Sequence, residues 1–259
     1  MEVQPLTFSK AIVRTPSESM VDGLTTAGLG APDYGKALDQ HRLYIEALKT
    51  CGLEVIVLPK DERFPDATFV EDTALVTPHC AIITNPGAPS RTAETGIIRE
   101  TIAGLFDHTE SIEGPGTVEA GDIMMVGSHF YIGRSERTNE NGIQQMIGLL
   151  EQYGMTGSSV TMKEVLHLKT GLSYLENNNL IICGEFLTAP EFRQFNHLTI
   201  EPQESYAANS VWINSTVLVP AGYPKARALI EQAGYQTIAL DVSEFRKIDG
   251  GLSCLSLRW

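Results

Sequence analysis

Two short apolar runs joined by a polar turn, then a helix-like stretch, recur along this chain and constrain its fold more than any other feature. VEDTALVTPHCAIITNPGAPSRTAETGIIRETI carries the pattern, as do EAGDIMMVGSHFYIGRSERTNENGIQQMIGLL and YAANSVWINSTVLVPAGYPKARALIEQAGYQTIALD. KTGLSYLENNNLIICGEFLTAPEFRQF repeats it with a weaker helix. A fifth copy is divided between the ends. DGGLSCLSL supplies its first strand, and AIVRTPSESM with YGKALDQHRLYIEALKTCGLEVIVLP supplies the rest. Aligned starts at Asp72, Asp122, Leu172, Asn209 and Leu252 are 50, 50, 37 and 43 residues apart, the range of repeated supersecondary units. Gly127-Ser128, Glu176 to Asn179 and Asn214-Ser215 separate β-rich runs and read as hairpin turns. Ile143 to Glu151 and Ala226 to Gly234 show helical apolar spacing and end at glycine. Five ββαβ units, the last stitched across both termini, predict an α/β fold closed into a five-bladed propeller. Closure protects the sheet edges, and the whole of residues 1–259 forms one domain.

The bulk properties narrow the partners. With 32 acidic and 19 basic residues the net charge is −13, which opposes nucleic acid and anionic membrane and favours cationic ligands. No apolar run reaches the length of a membrane span, and MEVQPLTFSK lacks the regions of a signal peptide. Cys51, Cys80, Cys183 and Cys254 lie far apart with no CxxC. That predicts reduced thiols in a cytoplasm, with neither disulfide nor zinc knuckle.

Pseudo-symmetry brings the leading ends of the five first strands to one axis. Glu71 and Asp72, Glu119 and Asp122, His167 and Lys169, Asn209, and Asp249 with Cys254 occupy those positions. Charged groups otherwise avoid the start of a buried strand, so their recurrence predicts a central polar pocket. Gly250 and Gly251 are expected to let the backbone approach a ligand, with Cys254 facing it. Taken singly, His167 reads equally well as a core histidine, and the carboxylates as turn caps. The other cysteines read as small buried hydrophobes, and His41, His79, His108, His129 and His197 as residues of turns or polar faces.

Together, a thiol, an imidazole and carboxylates suit attack on a planar cationic carbon. Carboxylates grip a guanidinium through paired N–H···O bonds. A thiolate adds to its central carbon, and histidine protonates the departing amine and then activates water. Arg91 in SRTAET and Arg137 in ERTNEN stand at equivalent places before helices, where fork-shaped donors suit a carboxylate. Each alone also reads as a surface arginine. A ligand with a guanidinium at one end and a carboxylate at the other is an arginine derivative.

FPDATFVEDTALV, GTVEAGDIMMVG, VLHLKTGLSYL, SYAANSVW and KIDGGLSCLSLRW resemble the dimethylarginine dimethylaminohydrolases of the guanidino-modifying, or pentein, superfamily, from about Ile12 to Trp259. The resemblance implies the pentein fold and hydrolysis of asymmetric dimethylarginine or monomethylarginine to citrulline and a methylamine, with no cofactor and no metal. It implies Cys254 as nucleophile, His167 as general acid and base, and Glu119 as the carboxylate that orients the guanidinium and supports the histidine. Asp72, with Glu71 beside it, is implied as a guanidinium acceptor. Asp66 with main-chain groups at Leu24 and Ile248 forms the implied cradle for the α-amino group, and Arg91 and Arg137 the carboxylate clamp. VDGLTTAGLGAP resembles a lid. A homodimer is compatible with such a chain. The competing readings are an arginine deiminase-type activity on an unmethylated guanidine and a non-catalytic propeller that binds another surface. Deiminases of that type carry an added helical domain, for which no segment is available here.

Overall fold

The computed structural model describes residues 7–259, so the first six residues of the expected single domain lie outside the described residues. Fifteen strands form five separate three-stranded sheets. The first joins β1 (Lys10–Arg14) and β2 (Glu54–Leu58) to a strand from the other end of the chain. The second contains β3 (Ala74–Val76), β4 (Ala81–Ile83) and β5 (Thr109–Ser111). The third contains β6 (Ile123–Val126), β7 (His129–Arg134) and β8 (Thr156–Thr161). The fourth contains β9 (Leu172–Tyr174), β10 (Asn179–Ile182) and β11 (Asn196–Thr199). The fifth contains β12 (Val211–Ile213), β13 (Thr216–Pro220) and β14 (Gln236–Leu240). β15 (Leu257–Arg258) pairs antiparallel with β1 and completes the first sheet. In every sheet the hairpin is antiparallel and the third strand is parallel to the second. This is the expected ββαβ unit, with the divided copy restored across the termini.

The helices α1 (Tyr34–Thr50), α2 (Thr95–Ala103), α3 (Glu140–Gln152), α4 (Leu168–Gly171), α5 (Pro224–Gln232) and α6 (Ser243–Arg246) follow local rules. The Asn139 side chain accepts from the Gly142 amide and opens α3, whose Ile143, Met146 and Leu150 form one buried face. In the fourth sheet two short 3₁₀ turns, Gly184–Thr188 and Pro190–Phe192, stand in place of a crossing helix, which is why that copy reads as weakly helical. Hairpin tightness is also local. Asn214 and Ser215 both adopt positive φ, 48° and 79°, the backbone of a two-residue turn matched to strand twist.

Ring closure follows from the alternation of side chains along the middle strands. Ile82 enters one core while Ala81 and Ile83 enter the next; the same holds for Tyr131 against Phe130 and Ile132 and for Ile181 against Leu180 and Ile182. Leu218 against Val217 and Val219, and Ile12 against Ala11 and Val13, complete the cycle. Each middle strand is therefore buried on both faces, and its period-2 pattern is hidden inside a continuous apolar run. Five cores result, one between each pair of neighbouring sheets, and no pair is missing. No helix among the described residues is long and apolar enough to cross a membrane.

Two expectations change. The segment DGGLSCLSL is not a strand throughout: Cys254 sits on a single 3₁₀ turn, Ser253–Leu255, and pairing begins at Leu257. His41 is not on a polar face but buried on α1 beside Phe245, its ring centroid 6.5 Å away. Burial lowers its pKa to about 4, because a charged imidazole there loses its hydration.

Candidate active site

The turns that lead into the first strands supply the site. Val70–Thr73 and Ala120–Asp122 are single 3₁₀ turns before β3 and β6, and His167 precedes α4. These turns and the Ser253–Leu255 turn surround a cavity of about 180 Å³ that contains Asp66, Asp72, Glu119, Arg137, His167 and Cys254. Leu24, Arg91 and Ile248 also line it. Residues from four of the five repeats thus meet at the axis, although they lie up to 230 positions apart in sequence (Leu24 to Cys254).

Glu119 is the centre of the hydrogen-bond network. Its Oε2 pairs with His167 Nε2 at 2.9 Å, and its Oε1 accepts from the Ala88 amide at 3.0 Å and from Arg137 Nη1 at 3.4 Å. Burial opposes a charged His167. The hydrogen bond to Glu119 and the carboxylates of Asp72 and Asp122 override it, pushing the imidazole up to about 9. Asp122 lies behind the histidine, its Oδ1 accepting from the Leu168 amide at 3.0 Å and its Oδ2 from the Ser135 hydroxyl at 2.6 Å.

Gly121 has no room for a side chain. An added Cβ would lie 2.8 Å from Asp72 Oδ1 and 3.2 Å from His167 Cγ. Its amide donates to Asp72 Oδ1 at 3.0 Å. Burial raises the Cys254 thiol to about 12, helped by Glu71 and Asp72. The Gly251 amide reaches its Sγ at 3.4 Å. At rest the pair is accordingly a neutral thiol beside an imidazolium.

Arg91 and Arg137 are not an equivalent pair. Arg91 is buried, with Nη1 at 2.5 Å from Asp72 Oδ2, Nε and Nη2 on Glu94, and Nη2 on the Phe69 carbonyl at 2.9 Å. Glu94, three residues on within one 3₁₀ turn, is a support that sequence reading missed, although the i,i+3 spacing in RTAE signals it. Arg137 makes one long contact to Glu119 and keeps its other donors.

Glu71 is the expected binding residue that the structure does not bring to this cavity. It turns to the opposite face of the ring, where Lys169 Nζ meets it at 2.6 Å and the Ser253 hydroxyl at 2.7 Å. Asn209 and Lys169 likewise stay outside. Of the two glycines, Gly250 lines the cavity and Gly251 does not. A Cβ on Gly250 would lie 2.3 Å from the Phe69 ring and one on Gly251 2.5 Å from Asn209 Oδ1, so protein packing demands them. The left-handed residue is Asp249, φ 58°.

The segment around Leu24 lies over the cavity. The Leu24 amide donates to Asp66 Oδ1 at 3.1 Å, Thr25 Oγ1 to the Lys247 carbonyl at 2.8 Å, and the Thr26 amide to Asp249 Oδ2 at 2.6 Å. Thr25, Thr26, Phe69 and Leu166 line the cavity as well, and nothing in their residue types singles them out. Asp72, Glu119 and His167 offer ligand atoms within 4.8 Å of one another. However, the imidazole nitrogen that faces Glu119 is committed to it, and Asp72 already pairs with the Arg91 cation.

A family model described as N,N dimethylarginine dimethylhydrolase, eukaryotic, matches residues 33–255. An N(G),N(G)-dimethylarginine dimethylaminohydrolase of Pseudomonas aeruginosa is 58% identical, over 97% of this chain and 100% of its own length. A Pseudomonas aeruginosa structure, a cysteine-to-serine variant complexed with citrulline, superimposes with a TM-score of 0.97, covering 98% of this chain and all of the other. A second solved structure, a histidine-to-glycine dimethylarginine dimethylaminohydrolase as an adduct with S-methyl-L-thiocitrulline, gives 0.96 at 58% identity over the same shares.

Proposed function

Since the chain belongs to the dimethylarginine dimethylaminohydrolase family, we propose that this cavity hydrolyses Nω,Nω-dimethyl-L-arginine, and monomethylarginine, to L-citrulline and the corresponding amine. The observation that carries this reading is one cavity holding Cys254, the His167–Glu119 pair, three further carboxylates (Asp66, Asp72 and Asp249) and the underused donors of Arg137. The same domain binds and reacts, needs no cofactor, and works in a cytoplasm.

Asp72 and Glu119 accept from the unmethylated guanidinium N–H groups and fix its plane. Asp66, with the Ile248 main chain and the Leu24 segment, receives the α-amino group, and Arg137, backed by Arg91, the carboxylate. A bound guanidinium beside Cys254 offsets Glu71 and Asp72 and lowers the thiol pKa, releasing its proton to solvent. Sγ then bonds to the central carbon as a C=N pair moves onto nitrogen. The His167 imidazolium protonates the dimethylamino nitrogen, the C–N bond breaks, and a thiouronium adduct remains. Neutral His167 takes a proton from water as its oxygen adds to the same carbon. Collapse forms the urea carbonyl, breaks the S–C bond and restores the thiol, while the free amine takes up the proton released first.

The deciding assay measures citrulline and dimethylamine from asymmetric dimethylarginine, against monomethylarginine, arginine and agmatine. Higher kcat/KM on arginine or agmatine than on the methylated substrates would overturn the assignment.

A further inference from the structure

The ring has a second cavity at the opposite end of its axis, about 140 Å³, and it is unlike the first. Its inner end is made from the immediate neighbours of the site residues. Glu71 adjoins Asp72, Ala120 adjoins Glu119, Ser253 adjoins Cys254, and Lys169 lies two positions beyond His167. Its walls are mixed, with Met124, Met125, Leu257 and Trp212 beside Ser173 and Ser210.

Two cations face one carboxylate at that inner end. Lys169 Nζ pairs with Glu71 Oε1 at 2.6 Å and retains two further N–H groups. Arg258 Nη1 donates to the Ser253 carbonyl at 3.3 Å, to the Ser256 carbonyl at 3.0 Å and to Ser256 Oγ at 2.7 Å, while Nη2 reaches Glu71 only at 3.5 Å. Arg258 Nε donates to nothing among the described residues, although its side chain is only 14% exposed. A guanidinium is a rigid fork of donors, and Arg258 lines the cavity with Nε still without an acceptor. The inner end thus carries an excess positive charge inside a chain of net charge −13. The remaining carboxylate of the lining, Glu176, lies on the β9–β10 turn, about 13 Å farther along the strand direction at about 3.3 Å per residue.

We propose that this second cavity is a binding site for a small organic carboxylate with an apolar body. The carboxylate lies on the Nε edge of Arg258 and the free donors of Lys169, and the apolar body lies against Met125 and Trp212. Fork-to-carboxylate pairing supplies orientation, and the apolar part of the wall selects against inorganic anions of equal charge. The site depends only on the ring and stands whether or not the first cavity hydrolyses methylarginines.

Benzoate serves as the probe, with benzyl alcohol as its uncharged counterpart, in calorimetric titrations of the full chain. Arg137→Ala protein is used throughout as the background, which removes the accessible cation of the first cavity. Saturable one-to-one benzoate binding is expected there, with benzyl alcohol at least about tenfold weaker, a difference of about 1.4 kcal/mol. Arg258→Gln removes the fork and should weaken benzoate by a similar factor. Met125→Phe fills the cavity without touching either cation and should also abolish binding, so the test does not depend on Arg258→Gln folding. Absence of saturable binding in the Arg137→Ala protein, equal affinity for benzyl alcohol, or binding untouched by Met125→Phe would each overturn the site.

Discussion

Glu119→Gln isolates the charge of one carboxylate from its shape. Glutamine preserves the volume and leaves an oxygen for the Ala88 amide, but removes the negative partner of His167 Nε2. In the native protein the imidazole is raised from 6.5 to about 9 against the opposing effect of burial, and the Glu119 hydrogen bond is the foremost contribution in that direction. A hydrogen bond to a charged group is worth about 1.5–3 kcal/mol, or about one to two pKa units. The variant should therefore titrate between about 7 and 8, since Asp72 and Asp122 still act on the ring.

The titration is read by NMR on ¹³C-labelled histidine, with His167 assigned from His167→Gln. Stability provides a second readout. A group whose folded pKa exceeds its unfolded value contributes fully below pH 6.5, and the contribution is lost as pH rises through 9. The native protein should lose about 3 kcal/mol from this group across that window, and the variant distinctly less. An imidazole still titrating at about 9 in Glu119→Gln would refute the assignment of the shift to Glu119.

Cys254→Ser should abolish turnover with the fold intact, and a His167→Gly protein should accumulate a substrate adduct that mass spectrometry finds on the peptide containing Cys254 and not on those containing Cys51, Cys80 or Cys183. Symmetric dimethylarginine places a methyl on both terminal nitrogens and leaves Asp72 or Glu119 short of a donor, at about 3–5 kcal/mol for a buried charge without its partner; comparable kcat/KM for the two isomers would contradict this. Gly251→Ala pushes Asn209 off the Ser253 amide, which it holds at 2.9 Å, and a buried donor left unpaired costs about 1–3 kcal/mol. Calorimetry should show Tm falling by roughly 2–12 °C, whereas Gly96→Ala, with open space at its Cβ, should leave Tm unchanged or slightly higher.

Much of the fold is legible because it is repeated and local. The hairpin turns, the helix faces and even the weak fourth helix are written in short stretches, and the divided copy is found by the same pattern. What fails is what depends on partners remote in sequence. Gly251 looks like a place for a ligand because nothing in KIDGGLSC mentions Asn209, the group that crowds it, and the packing of Phe69 against Gly250 is equally invisible there although that glycine does line the cavity. Arg91 looks like the equal of Arg137 until Asp72 and Glu94 close around it. Glu71 and Asp72 share one 3₁₀ turn, and only the groups that meet Glu71 there, Lys169 and Ser253, show that it turns away from the cavity. His41 needed knowledge of α6, more than 200 residues away.

The strand that seals the ring lies three residues beyond the nucleophile, and its partner Ile12 is paired with Leu257. On a ribosome adding about 5–20 residues per second, β1 waits roughly 12 to 50 s for that partner. During synthesis the nascent chain presents the carboxylates and the histidine without any reactive thiol among them. A product cut short before Ser253 has neither the strand that closes the ring of sheets nor a nucleophile. Moving the chain ends elsewhere, to the exposed segment 163–164 between β8 and α4 for example, would uncouple the two, delivering the cysteine early and leaving closure to a different pair of blades.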